Sequence, residues 1–281
     1  MVGLPRPFAD SASREQSSVT VPSGTASYAR DAVPQPLALL IHSGGFTSRQ
    51  WRRLAQRLAP THEVLAPDLI GYSADPWPPG KPFHFQQDVE RLADMLDRAA
   101  DVVGHSYGGL LGLQLALARP ERVRSQALYE PVAFGVLGPA DADARAQLAL
   151  PAYHADAAGV DERWLEAFVD WWNGAGAWVA LAEPTRAGFR AVAWKVYQEV
   201  ASLSADTTDR ARYATITAPT LLLGGARTPL TERRTLERLA EALPHARLEV
   251  FPDMGHMGPI THADAVGDAI AAHVARFTAA T

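Results

Sequence analysis

Gly104-His105-Ser106-Tyr107-Gly108 sets one hydroxyl between two glycines, a spacing suited to nucleophilic attack by serine. The apolar run Asp101-Val102-Val103 leads in, and Leu110 to Ala118 leads out with helical character before Pro120. A strand that turns straight into a helix bends sharply. Glycines on both sides make that bend sterically possible and leave the serine hydroxyl exposed. The N–H of Tyr107, opening the helix, then points to where negative charge would form on an attacked carbonyl. Serine is a poor nucleophile at neutral pH and needs a base to take its proton. Among nine histidines, the candidate is His256, in the Gly-rich stretch Met254-Gly255-His256-Met257-Gly258-Pro259. His105 adjoins Ser106 but is expected to point elsewhere and to serve packing. The chemistry implied is acyl transfer through a covalent intermediate.

The elements around these residues must bring them to one edge. Leu37 to Ile41 is a continuous apolar run, the mark of a strand buried on both faces. Trp51 to Leu58 has helical spacing, Val64 to Ala66 reads as a short strand, and a helix is predicted from Phe85 to Arg98. The strand before Ser106 and its helix follow, and then a strand over Val123 to Leu128. Further on, Thr220 to Leu223 and Arg247 to Phe251 read as strands, with helices over Thr231 to Leu243 and His262 to Phe277. Regular alternation of this kind predicts an α/β fold with a parallel sheet covered on both faces. In such a sheet the loop holding His256 and the turn holding Ser106 lie at the same carboxyl edge.

From Val132 to Tyr213 the alternation stops. Trp164, Phe168, Trp171 and Trp172 share one helical face there, and the segment is expected to be an inserted helical cap. The predicted organisation is a flexible tail over 1–18, a core over 19–131 and 214–281, and a cap over 132–213. Within the core, Val19 to Ala29 reads as an edge hairpin.

Bulk properties narrow the function. The chain has 281 residues, a net charge of -5 and no cysteine, with a pI near 6.0. Without a basic stripe, nucleic acid is excluded as a partner. Without cysteine there is no disulfide, no thiolate nucleophile and no thiolate metal site. No apolar run reaches the length of a membrane span. The first 18 residues lack the apolar centre of a signal peptide, so a soluble, cytoplasmic protein is expected. No phosphate loop, H-E-x-x-H or metal-ligand spacing of histidines occurs. The expected cofactor and metal are none, the partner is a small-molecule substrate, and the oligomeric state stays open between monomer and homodimer.

The order Ser106, an acid, then His256 on alternating strands and helices resembles the α/β-hydrolase superfamily. His42-Ser43-Gly44-Gly45 is similar to the His-Gly loop after the third strand of those enzymes. Pro67-Asp68-Leu69-Ile70-Gly71-Tyr72-Ser73 is similar to their Asp-Leu-x-Gly-x-Gly loop. Ser43 stands where glycine is usual, and Tyr72-Ser73 departs at the second Gly. The resemblance implies an oxyanion hole from the N–H groups of Tyr107 and Gly44, with Gly45 the next choice.

The acid departs from the usual pattern. The family usually carries it after the strand matching Thr220 to Leu223, where this chain reads Gly224-Gly225-Ala226-Arg227-Thr228-Pro229 and offers no carboxylate. Some members carry it after the preceding strand. That position is Glu130, in Leu128-Tyr129-Glu130-Pro131, which is the acid expected here. Glu130 as a structural carboxylate anchoring the cap, and a Ser106–His256 dyad without an acid, are the alternatives. Asp253 is too near His256 in sequence to approach its far nitrogen easily, and Glu232 is read as beginning a helix.

The function expected is serine-dependent hydrolysis of an ester or thioester of a largely apolar small molecule. Gly45, Phe46, Trp171, Trp172 and Met257 are expected to contact substrate. Two alternatives stay open: a non-hydrolytic enzyme such as a cyclase or lyase using the same pocket, and an inactive small-molecule binder. A haloalkane dehalogenase is disfavoured, because it needs an aspartate nucleophile where Ser106 stands.

Overall fold

The structure, a computed structural model, describes residues 35–73, 76–148 and 161–278. Its centre is built from apolar runs too continuous to have a wet face. β1 (Leu37–Ile41), β3 (Ala100–His105) and β5 (Thr220–Gly225) are buried at every position, and β4 (Val123–Tyr129) is buried except at Arg124. The outer strands β2 (Glu63–Leu65) and β6 (Ala246–Phe251) keep part of their surface exposed. The six strands form one sheet in the order β2-β1-β3-β4-β5-β6. Every adjacent pair is parallel, with Leu39 opposite Val102, Val103 opposite Ala127 and Leu128 opposite Leu222.

Alternate side chains of a strand point to opposite faces, and two apolar layers result. Leu37, Leu39 and Ile41 pack with Val102, Leu128 and Leu222 on one side. Ala38 and Leu40 pack with Val103, Ala127 and Tyr129 on the other. The helices are α1 (Arg52–Leu58), α2 (Gln86–Asp94), α3 (Tyr107–Ala118), α4 (Ala142–Leu148), α5 (Glu162–Asn173), α6 (Ala177–Ala180), α7 (Glu183–Ser204), α8 (Arg210–Tyr213), α9 (Leu230–Ala242), α10 (Gly258–Thr261) and α11 (Ala263–Thr278). Leu54 and Leu58 of α1 and Val266, Ile270 and Val274 of α11 cover the second layer. Val89 and Leu92 of α2, the apolar length of α3, and Leu236 and Leu239 of α9 cover the first. The sheet is therefore flanked by helices on both faces, as the alternation predicts.

Between β4 and β5 the described residues carry α4 to α8 and no strand. The predicted tail and the hairpin over Val19 to Ala29 lie outside the described residues, as do residues 149–160. One helix boundary differs from expectation. The helix expected to reach Arg98 stops at Asp94, where the Met95 N–H turns back to the carbonyls of Arg91 and Ala93. Leu96 still enters the core and Arg98 pairs with Glu63 of β2, so tertiary contacts extend a helix-like pattern past the helix. The last helix runs within one residue of expectation, and His262, whose φ of -131° is not helical, separates it from the short α10 that the sequence did not announce.

Candidate active site

Ser106 sits between β3 and α3 at φ 54° and ψ -117°, a conformation sparsely populated by non-glycine residues. Its N–H donates to the Tyr129 carbonyl at 2.9 Å, and its carbonyl accepts from Gly109 and Leu110. A Cβ at Gly104 would lie 2.3 Å from the Gly108 carbonyl oxygen, and one at Gly108 would lie 2.3 Å from that of Ile41. Both contacts are to backbone, so the two flanking glycines are required. The N–H of Tyr107 opens the helix without an intrahelical acceptor.

His256 leaves the loop after β6 with its backbone held twice. The Tyr129 hydroxyl donates to the Gly255 carbonyl at 2.7 Å, and His105 Nε2–H donates to the His256 carbonyl at 2.8 Å. Its ring spans the site: Nε2 lies 2.9 Å from Ser106 Oγ and Nδ1 lies 2.7 Å from Glu130 Oε2. The Trp172 indole, from α5, lies flat on the imidazole with ring centroids 3.6 Å apart and planes 16° off parallel.

Glu130 follows β4 at φ 46° and is fully buried. Its carboxylate is supported by the loop after β5, which has no acid of its own. The Gly225 N–H donates to Oε1 at 2.8 Å, and the Thr228 hydroxyl donates to Oε2 at 2.8 Å. With His256, three donors converge on one carboxylate and satisfy both of its oxygens. Asp253 points outward and pairs with Arg227 at 2.7 Å. Glu232 does begin a helix, near the start of α9. Its carboxyl oxygens are buried without a hydrogen-bond partner among the described residues. Burial, then the negative charge of Glu130, pushes that carboxyl well above the usual range.

The loop after β1 is pinned at alternate amides. The Ser43 N–H donates to Gln50 Oε1 at 3.1 Å, and Gln50 Nε2–H donates to His105 Nδ1 at 3.0 Å. The Gly45 N–H donates to the Tyr72 hydroxyl at 2.9 Å. Between them, the Gly44 N–H finds no acceptor among the described residues, and Gly44 lines the cavity beside Ser106. His42 closes the other end, with Nδ1–H donating to the Ser43 carbonyl at 2.8 Å and Nε2 accepting from the Leu69 N–H at 3.0 Å. An accepting Nε2 requires the neutral ring, and burial pushes the His42 pKa down to about 4.

Ser106, His256, Gly44 and Tyr107 meet at a cavity of about 440 Å³ whose walls are mostly apolar. Phe46, Trp172 and Met257 line it. Trp171 lines an adjoining opening that shares Trp172, His256 and Met257 with the first. Gly45 is not among the described residues lining either, and its N–H is occupied by Tyr72. Sequence reasoning did not find Gln50, Tyr72, Lys195 or Glu199, and it assigned His105 to packing alone. Lys195 and Glu199 left a signal as an opposite-charge pair at helical spacing, and Tyr72 left one as the departure from the second Gly of the Asp-Leu-x-Gly-x-Gly pattern.

A sequence model of the Alpha/beta hydrolase family matches residues 38–269. The pimeloyl-[acyl-carrier protein] methyl ester esterase of Neisseria meningitidis serogroup A is 30% identical over 233 residues, covering 80% of this chain and 72% of that protein. Lipase LipV of Mycobacterium tuberculosis is 40% identical over 97 residues, which is 33% of this chain and 36% of that protein. Among solved structures, a hydrolase from Pseudomonas aeruginosa superposes with a TM-score of 0.63 at 28% identity, covering 85% of this chain and 90% of the other. An enol-lactonase from Burkholderia xenovorans shares the fold with a TM-score of 0.64 at 22% identity, over 86% and 92% of the two chains. By the family match and the shared sheet, this chain belongs to the α/β-hydrolase family.

Proposed function

We propose that the protein hydrolyses an ester or thioester of a largely apolar small molecule through an acyl-enzyme on Ser106. The observation that carries this reading is the unbroken line Ser106 Oγ, His256 Nε2, His256 Nδ1, Glu130 Oε2, with contacts of 2.9 and 2.7 Å, opening onto an apolar cavity. His256 takes the Ser106 proton as Oγ attacks the carbonyl carbon, and Glu130 holds the imidazole and balances its positive charge. The N–H groups of Gly44 and Tyr107 receive the oxyanion. His256 then gives its proton to the departing alcohol or thiol. Water, deprotonated by the same imidazole, attacks the acyl carbon and frees the acid and Ser106.

The acyl group would lie among Val132, Phe168, Val169, Val200 and Leu203, which line the cavity. The helical segment between β4 and β5 supplies the last four and acts as the cap that sets substrate range. An esterase and a lipase among the named relatives support the reaction class.

The test is turnover of p-nitrophenyl esters, acetate to decanoate, by wild type and Ser106→Ala. Turnover that disappears in Ser106→Ala is expected, with a chain-length optimum reporting the depth of the cavity. Undiminished turnover in Ser106→Ala overturns the serine mechanism, and none in folded wild type directs attention to the non-hydrolytic chemistries of this fold.

A further inference from the structure

Three charged side chains that the reaction above does not use lie buried beside the oxyanion loop. Asp88 of α2 and Lys195 and Glu199 of α7 are each at most 1% exposed. Lys195 Nζ donates to Glu199 Oε1 at 2.6 Å and to Asp88 Oδ2 at 3.2 Å. The Ile70 N–H donates to Asp88 Oδ1 at 3.0 Å and the Tyr107 hydroxyl to Asp88 Oδ2 at 2.9 Å. The Tyr72 hydroxyl donates to Glu199 Oε2 at 2.8 Å and accepts from the Gly45 N–H at 2.9 Å.

Burying such groups is costly, as the Glu199 carboxyl shows, which burial pushes up to about 7, and a buried ion pair adds little stability over apolar side chains of the same volume. What such a group does supply is direction. A tyrosine hydroxyl has one proton to give. With that proton committed to Glu199, the oxygen is turned to accept from Gly45. The peptide between Gly44 and Gly45 is thereby fixed from one side, while Gln50 fixes Ser43 from the other. The amide left free between them belongs to Gly44. Glu199 also lies directly against this loop, since a Cβ on Gly44 would come within 2.8 Å of its Oε2.

We propose that Tyr72 and Glu199, oriented by Lys195, are positioning residues for the oxyanion hole and aim the Gly44 N–H at the reacting carbonyl. The inference rests on the ester-hydrolase reading and adds to it a dependence on α7: the hole is complete only when that helix presents Glu199 to Tyr72. Tyr72 is not among the described residues lining the cavity, whereas Glu199 is, so the Tyr72 hydroxyl is expected to affect the rate and leave substrate affinity alone, and the KM criterion applies to Tyr72→Phe.

The test is kcat and KM for p-nitrophenyl butyrate with wild type, Ser106→Ala, Tyr72→Phe, Glu199→Gln and the double variant Lys195→Met/Glu199→Gln, each checked for folding by thermal melt. Removing an oxyanion donor outright costs about 10²–10³ in kcat, so losing the anchor of its neighbour is expected to cost about tenfold in Tyr72→Phe, with KM within about twofold. Glu199→Gln has one amide oxygen, which the Lys195 ammonium captures, so Tyr72 loses its acceptor and kcat falls. Adding Lys195→Met returns that oxygen to Tyr72 and raises kcat again at a temperature where both variants are fully folded, with KM unchanged; a purely structural ion pair would restore the melting temperature and leave kcat of the folded fraction the same in the two variants.

Wild-type kcat in folded Tyr72→Phe overturns the proposal, and so does a double variant no faster than Glu199→Gln. If Tyr72→Phe does not fold, the Glu199 pair decides. If wild type shows no Ser106-dependent turnover, the ester-hydrolase reading fails on its own, and amide exchange at Gly45 decides the positioning role. Faster exchange in Tyr72→Phe supports it and unchanged exchange overturns it.

Discussion

Glu130→Gln keeps the shape of a side chain on which three donors converge and removes its charge. Oε2 accepts from Thr228 and faces His256 Nδ1, while Oε1 accepts from Gly225 alone. The amide oxygen therefore belongs at the Oε2 position, where it satisfies two donors, and the NH₂ group is left against the Gly225 N–H. A buried amide without an acceptor costs about 1–3 kcal/mol, which lowers Tm by about 2–4 °C per kcal/mol in a chain of this size.

The catalytic loss is larger. When His256 holds the Ser106 proton, the carboxylate attracts the imidazolium. With charge centres about 4 Å apart at an effective dielectric of about 20, that attraction is about 4 kcal/mol. This corresponds to a fall in kcat of about a thousandfold, since each 1.36 kcal/mol is about tenfold. KM should stay close to that of wild type, because Glu130 touches His256 and not the acyl chain. The assay is steady-state ester hydrolysis at saturating substrate, normalised to folded protein by thermal melt. Asp253→Asn is the control, an exposed carboxylate paired with Arg227 whose neutralisation should leave kcat unchanged. If folded Glu130→Gln keeps kcat within about tenfold of wild type, the carboxylate does not stabilise the imidazolium in the transition state and Glu130 is a structural anchor.

Trp172→Ala removes the indole stacked on His256, and with it a desolvated cation–π contact worth about 2 kcal/mol to the imidazolium. A fall in kcat/KM of at least about tenfold is expected, part of it retained in Trp172→Phe, and unchanged kinetics in folded Trp172→Ala would remove the stack from the mechanism. The neutral His42 ring, with its pKa pushed down to about 4, makes the folded state bind fewer protons than the unfolded state below the ordinary histidine value. Stability should therefore fall as pH drops from about 6.5 towards 4 and then level off as far as His42 is concerned. Urea unfolding across that range, repeated on His42→Gln with its loss reduced, is the check. Glu232→Leu replaces a carboxyl whose oxygens lack partners among the described residues and should stabilise the fold by about 1–3 kcal/mol. The raised Glu232 pKa makes the gain larger at pH 8 than at pH 4, because ionisation is what the folded state resists. A lower Tm for Glu232→Leu at both values would assign that carboxyl a partner.

Strands and most helices were legible because their signals are local. Continuous apolar runs mark β1, β3 and β5 whatever surrounds them, and glycines at 104 and 108 announce the bend at Ser106. The meeting of Ser106, His256 and Glu130 was legible at one remove, since parallel strands deliver their ends to a common edge. The helix stop at Asp94 was not, because Leu96 and Arg98 continue a helical pattern for contacts made outside the helix. Nor was the line from Ser43 through Gln50 and His105 to His256. Gln50 and His105 are 55 residues apart, and their hydrogen bond obeys no periodicity. Lys195 and Glu199 show the opposite failure: their spacing was visible, but a charged pair one turn apart is ordinarily solvated. Only the packing of α7 against Asp88 and Tyr72 reveals that this one is buried.

The support of Glu130 by the loop after β5 bears on how such a site can change through descent. Gly225, Thr228 and His256 define a point in space for a negative charge, and that point does not depend on which backbone delivers it. Here the stem of β4 reaches it, and Thr228 already touches it from the neighbouring strand. A carboxylate at residue 228 would reach the same point at the cost of the Thr228 donor, leaving Gly225 and His256 to hold it. If Glu130 serves as the acid, the donors that hold it mark its position better than its place in the chain does. In a laboratory lineage, selection for activity in Glu130→Gln should recover carboxylates on the loop after β5 before any other segment.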